Sequence, residues 1–173
     1  MCLYNIGVLE PVSGRVTGLI RDWLAAANNP AVVLTRGDCF ASFTGGYDLF
    51  VVASTDFGAE AAHDLSCRAL LVPGSGDMKT LSAIPSQWVV SYGLAGRDSI
   101  TVSSLGRDFA QLALLRELVT LSDVVVERQE IPVLIPPESS APSVMAMYGS
   151  LLILGVPPEM LAQSAPVQIR SKV

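Results

Sequence analysis

Ser13, Gly14, Arg15, Val16 and Thr17 stand between an apolar run, Tyr4 to Leu9, and a segment with helical spacing. Small residues at such a junction can bind phosphate. Consecutive backbone N–H groups at a helix start converge on an anion, and the helix dipole adds to the attraction. A complete site adds a lysine for the terminal phosphates and a Ser or Thr hydroxyl for magnesium. In this chain Arg15 holds the lysine position, Val16 holds the hydroxyl position, and Thr17 comes one place late. Arginine is not equivalent to lysine at a tight phosphate site. Glu10 repels a phosphate, and Pro11 has no N–H to donate. The stretch therefore reads as a strand–turn–helix in which Ser13, Gly14, Arg15 and Thr17 form a vestigial cofactor loop.

A second turn of small residues, Gly74, Ser75 and Gly76, follows the apolar run Cys67 to Pro73. The carboxyl end of a strand is where open α/β sheets bind ligands. Asp77 opposes an anion there, so a plain turn is preferred, with anion binding as the alternative. Other reactive side chains point to no chemistry. Ser54, Ser91 and Ser103 have no nucleophile-elbow motif around them and no spare histidine. The one histidine, His63, sits on a segment with helical spacing and reads as a surface residue. Cys2, Cys39 and Cys67 are odd in number and lack CxxC spacing, which argues against a disulfide framework or a zinc site and for a reducing cytoplasm. Cys39 and Cys67 read as small buried apolar residues. Asp123, Glu127 and Glu130 read as a solvated acidic face. No catalytic residue, metal ligand or bound cofactor is expected.

The elements that must position these residues follow from the apolar pattern. Val16, Leu19, Ile20, Trp23, Leu24 and Ala27 recur at three- and four-residue spacing, so a helix follows the Gly14 turn and stops at Asn28-Asn29-Pro30. "AVVLT" (Ala31 to Thr35) is the next strand, and "CFASFTGG" reads as a short edge strand ending in a turn. "YDLFVVAST" (Tyr47 to Thr55) is a near-continuous apolar strand, as expected where helices cover both faces. A helix capped by Thr55 or Asp56 is expected through Ala59 to Leu65, followed by a strand to Gly74, a short helix near Met78 to Ile84, and a strand from Trp88 to Leu94. This alternation predicts a mostly parallel, doubly wound sheet.

From about residue 98 the rhythm changes. "SITVSSL" alternates, Phe109 to Glu117 fits helix or strand with strand preferred, and Leu118 to Pro136 reads as two or three short strands. Pro132, Pro136 and Pro137 confine this part to edges or loops. A helical pair closes the chain, Ser143 to Leu154 and Pro157 to Gln163, joined by a helix-ending Gly155. The expectation is one α/β domain over residues 1–173, parallel to about residue 97, then antiparallel and helical.

Composition bounds the partners. Of the 173 residues half are hydrophobic and 16% charged, and the net charge is −5 with no basic stripe. Nucleic acid is therefore not an expected ligand. No apolar run is long enough to span a bilayer. The run Val144 to Val156 reads as a buried helix, broken by Tyr148, Gly149 and Ser150. The apolar excess belongs either to a well-covered sheet or to a face that meets a partner. Met145, Met147, Tyr148, Leu151 and Leu152 are the candidate face, unless they pack inward on the sheet.

Motifs in common order carry a resemblance. "IGVLEPVSGRVT" resembles, with one extra residue, the strand and glycine loop IGVTGTNGKTT that opens the ATP-binding middle domain of the Mur ligases, and "CRALLVPGSGD" resembles that family's AVLNADD strand. "WVVSYGLAGRDSITVSSL" is similar to a pair of strands there, and "EIPVLIPPESSAPSVMAMYGSLLILGVPPEML" to the helical ending. The resemblance implies an α/β nucleotide-binding fold. The departures imply that its chemistry is gone. Pro142-Ser143 stands near the place of a His-Asn pair, no equivalent of the magnesium-binding modified lysine is found, and the family's flanking domains have no counterpart in these residues. The expected function is a non-catalytic structural or partner-binding module, self-associating or joined to another protein. The alternative is a protein binding a nucleotide or anion at the Gly14 or Gly74 loop.

Overall fold

The computed structural model describes residues 3–29, 31–57 and 64–167. It is α/β, with an eight-stranded, mostly parallel sheet in the order β10-β7-β6-β5-β4-β3-β1-β2 and a separate two-stranded hairpin, β8-β9. The parallel part comprises β1 (Tyr4–Leu9), β2 (Val32–Gly37), β3 (Gly45–Val52), β4 (Leu65–Pro73), β5 (Ser86–Tyr92) and β6 (Ile100–Leu105). β7 (Phe109–Leu114) and β10 (Glu130–Leu134) add antiparallel to β6, which resolves the ambiguous segment after residue 108 as strand. β8 (Leu118–Val119) and β9 (Val125–Val126) complete the three short strands expected before Pro136.

The central strands are apolar on both sides because both sides are covered. Leu49, Phe50, Val51 and Val52 are all fully buried, as are Ala69, Leu71 and Val72. On one face, Ile6, Val8, Leu49 and Leu71 meet α1 (Val16–Ala26) and α3 (Ala141–Ile153). On the other, Leu9, Phe50, Leu70 and Val72 meet Phe40, Phe43 and Phe57, together with Leu81 of the short α2 (Met78–Ser82). Burying one such side chain contributes about 1.5–3 kcal/mol, so these two layers are the main source of stability.

α3 begins at Ser140, whose hydroxyl accepts from the Ser143 N–H at 3.3 Å, and carries Pro142 in its first turn. It ends at Ile153, and the chain turns out of it through Leu154 and Gly155, whose φ of +95° suits glycine. α4 (Pro158–Val167) follows and packs against β10.

Three expectations need correction. "CFASFTGG" is not an edge strand: Phe40–Ser42 form a 3-10 turn that drives Phe40 and Phe43 into the second core layer. The helix expected through Ala59 to Leu65 does not include Leu65, which begins β4; residues 58–63, with His63, lie outside the described residues. Before them, Ser54 Oγ accepts from the Asp56 N–H and donates to its carbonyl in a local turn, and the helix that Thr55 or Asp56 was expected to cap falls outside the described residues. Finally, the face of Met145, Met147, Tyr148, Leu151 and Leu152 is core: none is more than 2% exposed. α3 is apolar all round because it is enclosed between the sheet, α1 and β10, and its single phenol is satisfied by the Leu134 carbonyl at 2.8 Å.

Candidate functional site

The turn between β1 and α1 contains its own anion. β1 ends at Leu9, and the next side chain, Glu10, folds under the start of α1 and is only 1% exposed. One carboxylate oxygen accepts from the Val16 N–H at 2.8 Å, and the other from the Thr17 N–H at 3.3 Å. These N–H groups belong to the first helical turn, which has no intrahelical acceptor for them. A negative charge there also meets the favourable end of the helix dipole. Arg36, at the end of β2, completes the arrangement: its Nε donates to Glu10 at 2.8 Å, and its Nη2 donates to the Pro11 and Val12 carbonyls at 2.7 Å each. β1 and β2 run parallel with Val8 beside Arg36, which places the guanidinium against the turn.

The expected loop residues sit around this clasp in different roles. Gly14 donates its N–H to Pro11 O at 2.7 Å, closing a tight turn. A Cβ on Gly14 would lie 2.6 Å from a Glu10 oxygen and 2.8 Å from Glu10 Cβ, so glycine is needed for the close approach of the carboxylate. Ser13 is exposed on the turn. Arg15 points away from the helix start and pairs with Glu138 at 2.8 Å, an exposed contact of small energetic value. The Thr17 hydroxyl is buried without a hydrogen-bond partner among the described residues. Thus two of the N–H groups that a phosphate would use are already engaged, by a group that cannot diffuse away.

The Gly74 loop lies at the same end of the sheet, after β4, with β3 between it and β1. Its amides also turn inward. The Gly74 N–H donates to Tyr92 O at 2.8 Å, and the Gly76 N–H to Pro73 O at 3.0 Å. Two carboxylates flank it. Asp77 caps α2, accepting from the Lys79 N–H and from the Thr80 hydroxyl; the Thr80 bond first, then the Lys79 amide, hold its carboxyl below the usual carboxylate range. Asp98, 2% exposed, accepts from the Ala95 N–H at 3.0 Å and packs so closely on Gly74 that a Cβ there would collide with it. Ser75 sits on the turn between them. A loop lined by carboxylates, with its glycine amides spent on carbonyls, is a structural corner.

Two cavities lie away from both loops. One of about 430 Å³ opens between the β8-β9 hairpin and the α3–α4 turn, lined among others by Thr120, Val125 and Pro157. Another of about 210 Å³ lies between β2 and the second half of α1. Neither is lined by residues 13–17 or 74–76. Among the described residues no three His, Cys, Asp or Glu side chains group as a metal site, and no helix is long and apolar enough to cross a membrane. Burial raises the Cys67 thiol to about 12, so it is no nucleophile at neutral pH.

Sequence reasoning recognised Glu10 only as a repellent and missed that it is the occupant. The available signal was an acidic residue just before a helix start, which is a capping signature as much as a flaw in a phosphate loop. Its partner Arg36 is 26 positions away on a neighbouring strand, and only the strand pairing brings them together. No protein-family model matches this chain, and no curated protein matches it.

Proposed function

We propose that this chain is a non-catalytic α/β module related to the middle domain of the Mur ligases, with an eroded phosphate loop, working in the cytoplasm as a structural or partner-binding unit. The observation that carries the reading is the Glu10 carboxylate seated on the Val16 and Thr17 N–H groups and held there by Arg36. A phosphate could reach those amides only by expelling it. Each charge-assisted hydrogen bond lost costs about 1.5–3 kcal/mol, so two cost about 3–6 kcal/mol and weaken any phosphate by roughly 10²- to 10⁴-fold. The Arg36 side chain is 40% exposed, so solvent screening reduces what its charge adds to that sum. Arg15, at the lysine position, is paired with the Glu138 carboxylate at 2.8 Å.

Titration calorimetry with ATP and magnesium tests the reading. No heat of binding is expected. A dissociation constant at or below about 10 µM, roughly 7 kcal/mol of binding free energy, would overturn it in favour of a nucleotide-binding protein.

A further inference from the structure

We propose that the outer edge of β2 is the surface on which two copies of this chain join, strand against strand, into a two-fold dimer with one continuous sheet. The inference rests on the reading of the chain as a partner-binding module and names the partner as a second copy.

The sheet ends in two edges that are built differently. On β10 the odd residues face β7, since the Leu114 N–H donates to Gln129 O and the Ile135 N–H to Asp108 O. Glu130, Pro132 and Leu134 therefore turn their backbone outward. Pro132 has no N–H to offer, the Leu134 carbonyl is taken by the Tyr148 hydroxyl, and Glu130 adds a charge. With α4 packed alongside, this edge is blunted by several of the devices that keep strands from pairing.

β2 has none of them. Here the Tyr4 N–H donates to Ala31 O and the Glu10 N–H to Gly37 O, so the odd residues face β1. Val32, Leu34 and Arg36 consequently present their N–H and C=O groups outward, and among the described residues no hydrogen bond reaches them. The strand carries no proline, and its one charge does not guard the edge, because the Arg36 guanidinium turns back to Glu10 and to the Pro11 and Val12 carbonyls. Beside the edge lies the cavity of about 210 Å³, whose apolar wall is Leu24, Ala25, Val32 and Leu34 and whose polar rim is Arg21, Asn28 and Asn29.

A second copy fits this edge by its own symmetry. Antiparallel pairing centred on Leu34 sets Val32 of one copy against Arg36 of the other and Leu34 against Leu34, so that every outward group on both strands finds a partner. The same two-fold sets the two α1 helices on one face of the joined sheet, each beside its own cavity.

Analytical ultracentrifugation across the micromolar to millimolar range tests the proposal on the wild type and on Leu34→Pro, with amide exchange of Leu34 followed by NMR. Proline removes one outward N–H and blocks approach, while leaving the bonds to β1 intact. The expected result is a monomer–dimer equilibrium whose dissociation constant rises at least tenfold in Leu34→Pro with an unchanged circular dichroism spectrum. Protection of the wild-type Leu34 amide should rise with concentration, and this reading decides the matter even if the variant does not fold. A monomer at every concentration, or a dimer whose Leu34 amide exchanges freely, overturns the proposal. Protection appearing only on addition of a different chain overturns the second copy in favour of another partner. None of these outcomes changes the ATP titration, so failure of the interface and failure of the non-catalytic reading are separable.

Discussion

Glu10 is a side chain whose meaning reverses between sequence and structure. In the sequence it spoils a phosphate loop; in the fold it satisfies the helix start that the phosphate would have satisfied. Glu10→Gln should therefore destabilise the protein. The amide keeps one acceptor but turns an NH2 toward backbone donors and gives up the charge facing Arg36, at an expected cost of about 1–3 kcal/mol by chemical denaturation. An unchanged midpoint would remove the clasp from the account. Gly14→Val should cost about 1–3 kcal/mol as well, by pushing Glu10 off its amides. The cause is the close contact with Glu10, because Gly14 is not among the residues with positive φ. The two variants should be less than additive, since both act on one carboxylate. Gly14 was legible as part of a small-residue turn between strand and helix; the group that needs glycine there was not, because the contact runs back along the chain to a residue that looked only repulsive.

At the scale of elements, the strands were the most legible. Long apolar runs such as Tyr47 to Val52 and Leu70 to Pro73 need cover on both faces, and they have it. The proline in β10 pointed to an edge, and its missing N–H does face outward. α3 was legible as a helix but not as core or surface. Its residues are apolar in every direction, and periodicity cannot tell a fully enclosed helix from one awaiting a partner. The structure encloses it, so Leu151→Ala should cost about 2–5 kcal/mol by denaturant unfolding, as expected for a buried truncation. A cost near zero would place Leu151 on a surface. "CFASFTGG" misled because it is short and lies between strands: its two phenylalanines stand three apart, which does not fit one face of a strand, and a 3-10 turn sends both into one core layer.

For the molecule as a whole, the apolar excess is largely absorbed by two core layers and an enclosed α3, and β2 is left as an edge of the sheet. Burial on this scale should show in alkaline pH. It raises the Cys67 thiol and the Tyr148 phenol to about 12, and shifts Tyr92 upward as well. A pKa raised on folding means that the folded state holds its proton longer than the unfolded state. Stability is then full below the ordinary thiol and phenol range and falls as pH rises through the folded values near 12. Circular dichroism against pH should show unfolding in that window, and thiol labelling at neutral pH should spare Cys67 in the folded protein.

The central claim is that Glu10 occupies the anion position at the start of α1. NMR of the Val16 and Thr17 backbone amides, during titration of the wild type with inorganic phosphate and then with ATP and magnesium, tests it most directly. Both resonances are predicted to stay where they are throughout, and to move in Glu10→Gln without added ligand. Saturable movement of the two wild-type resonances on adding either ligand would mean that the carboxylate yields its place, and would contradict the account.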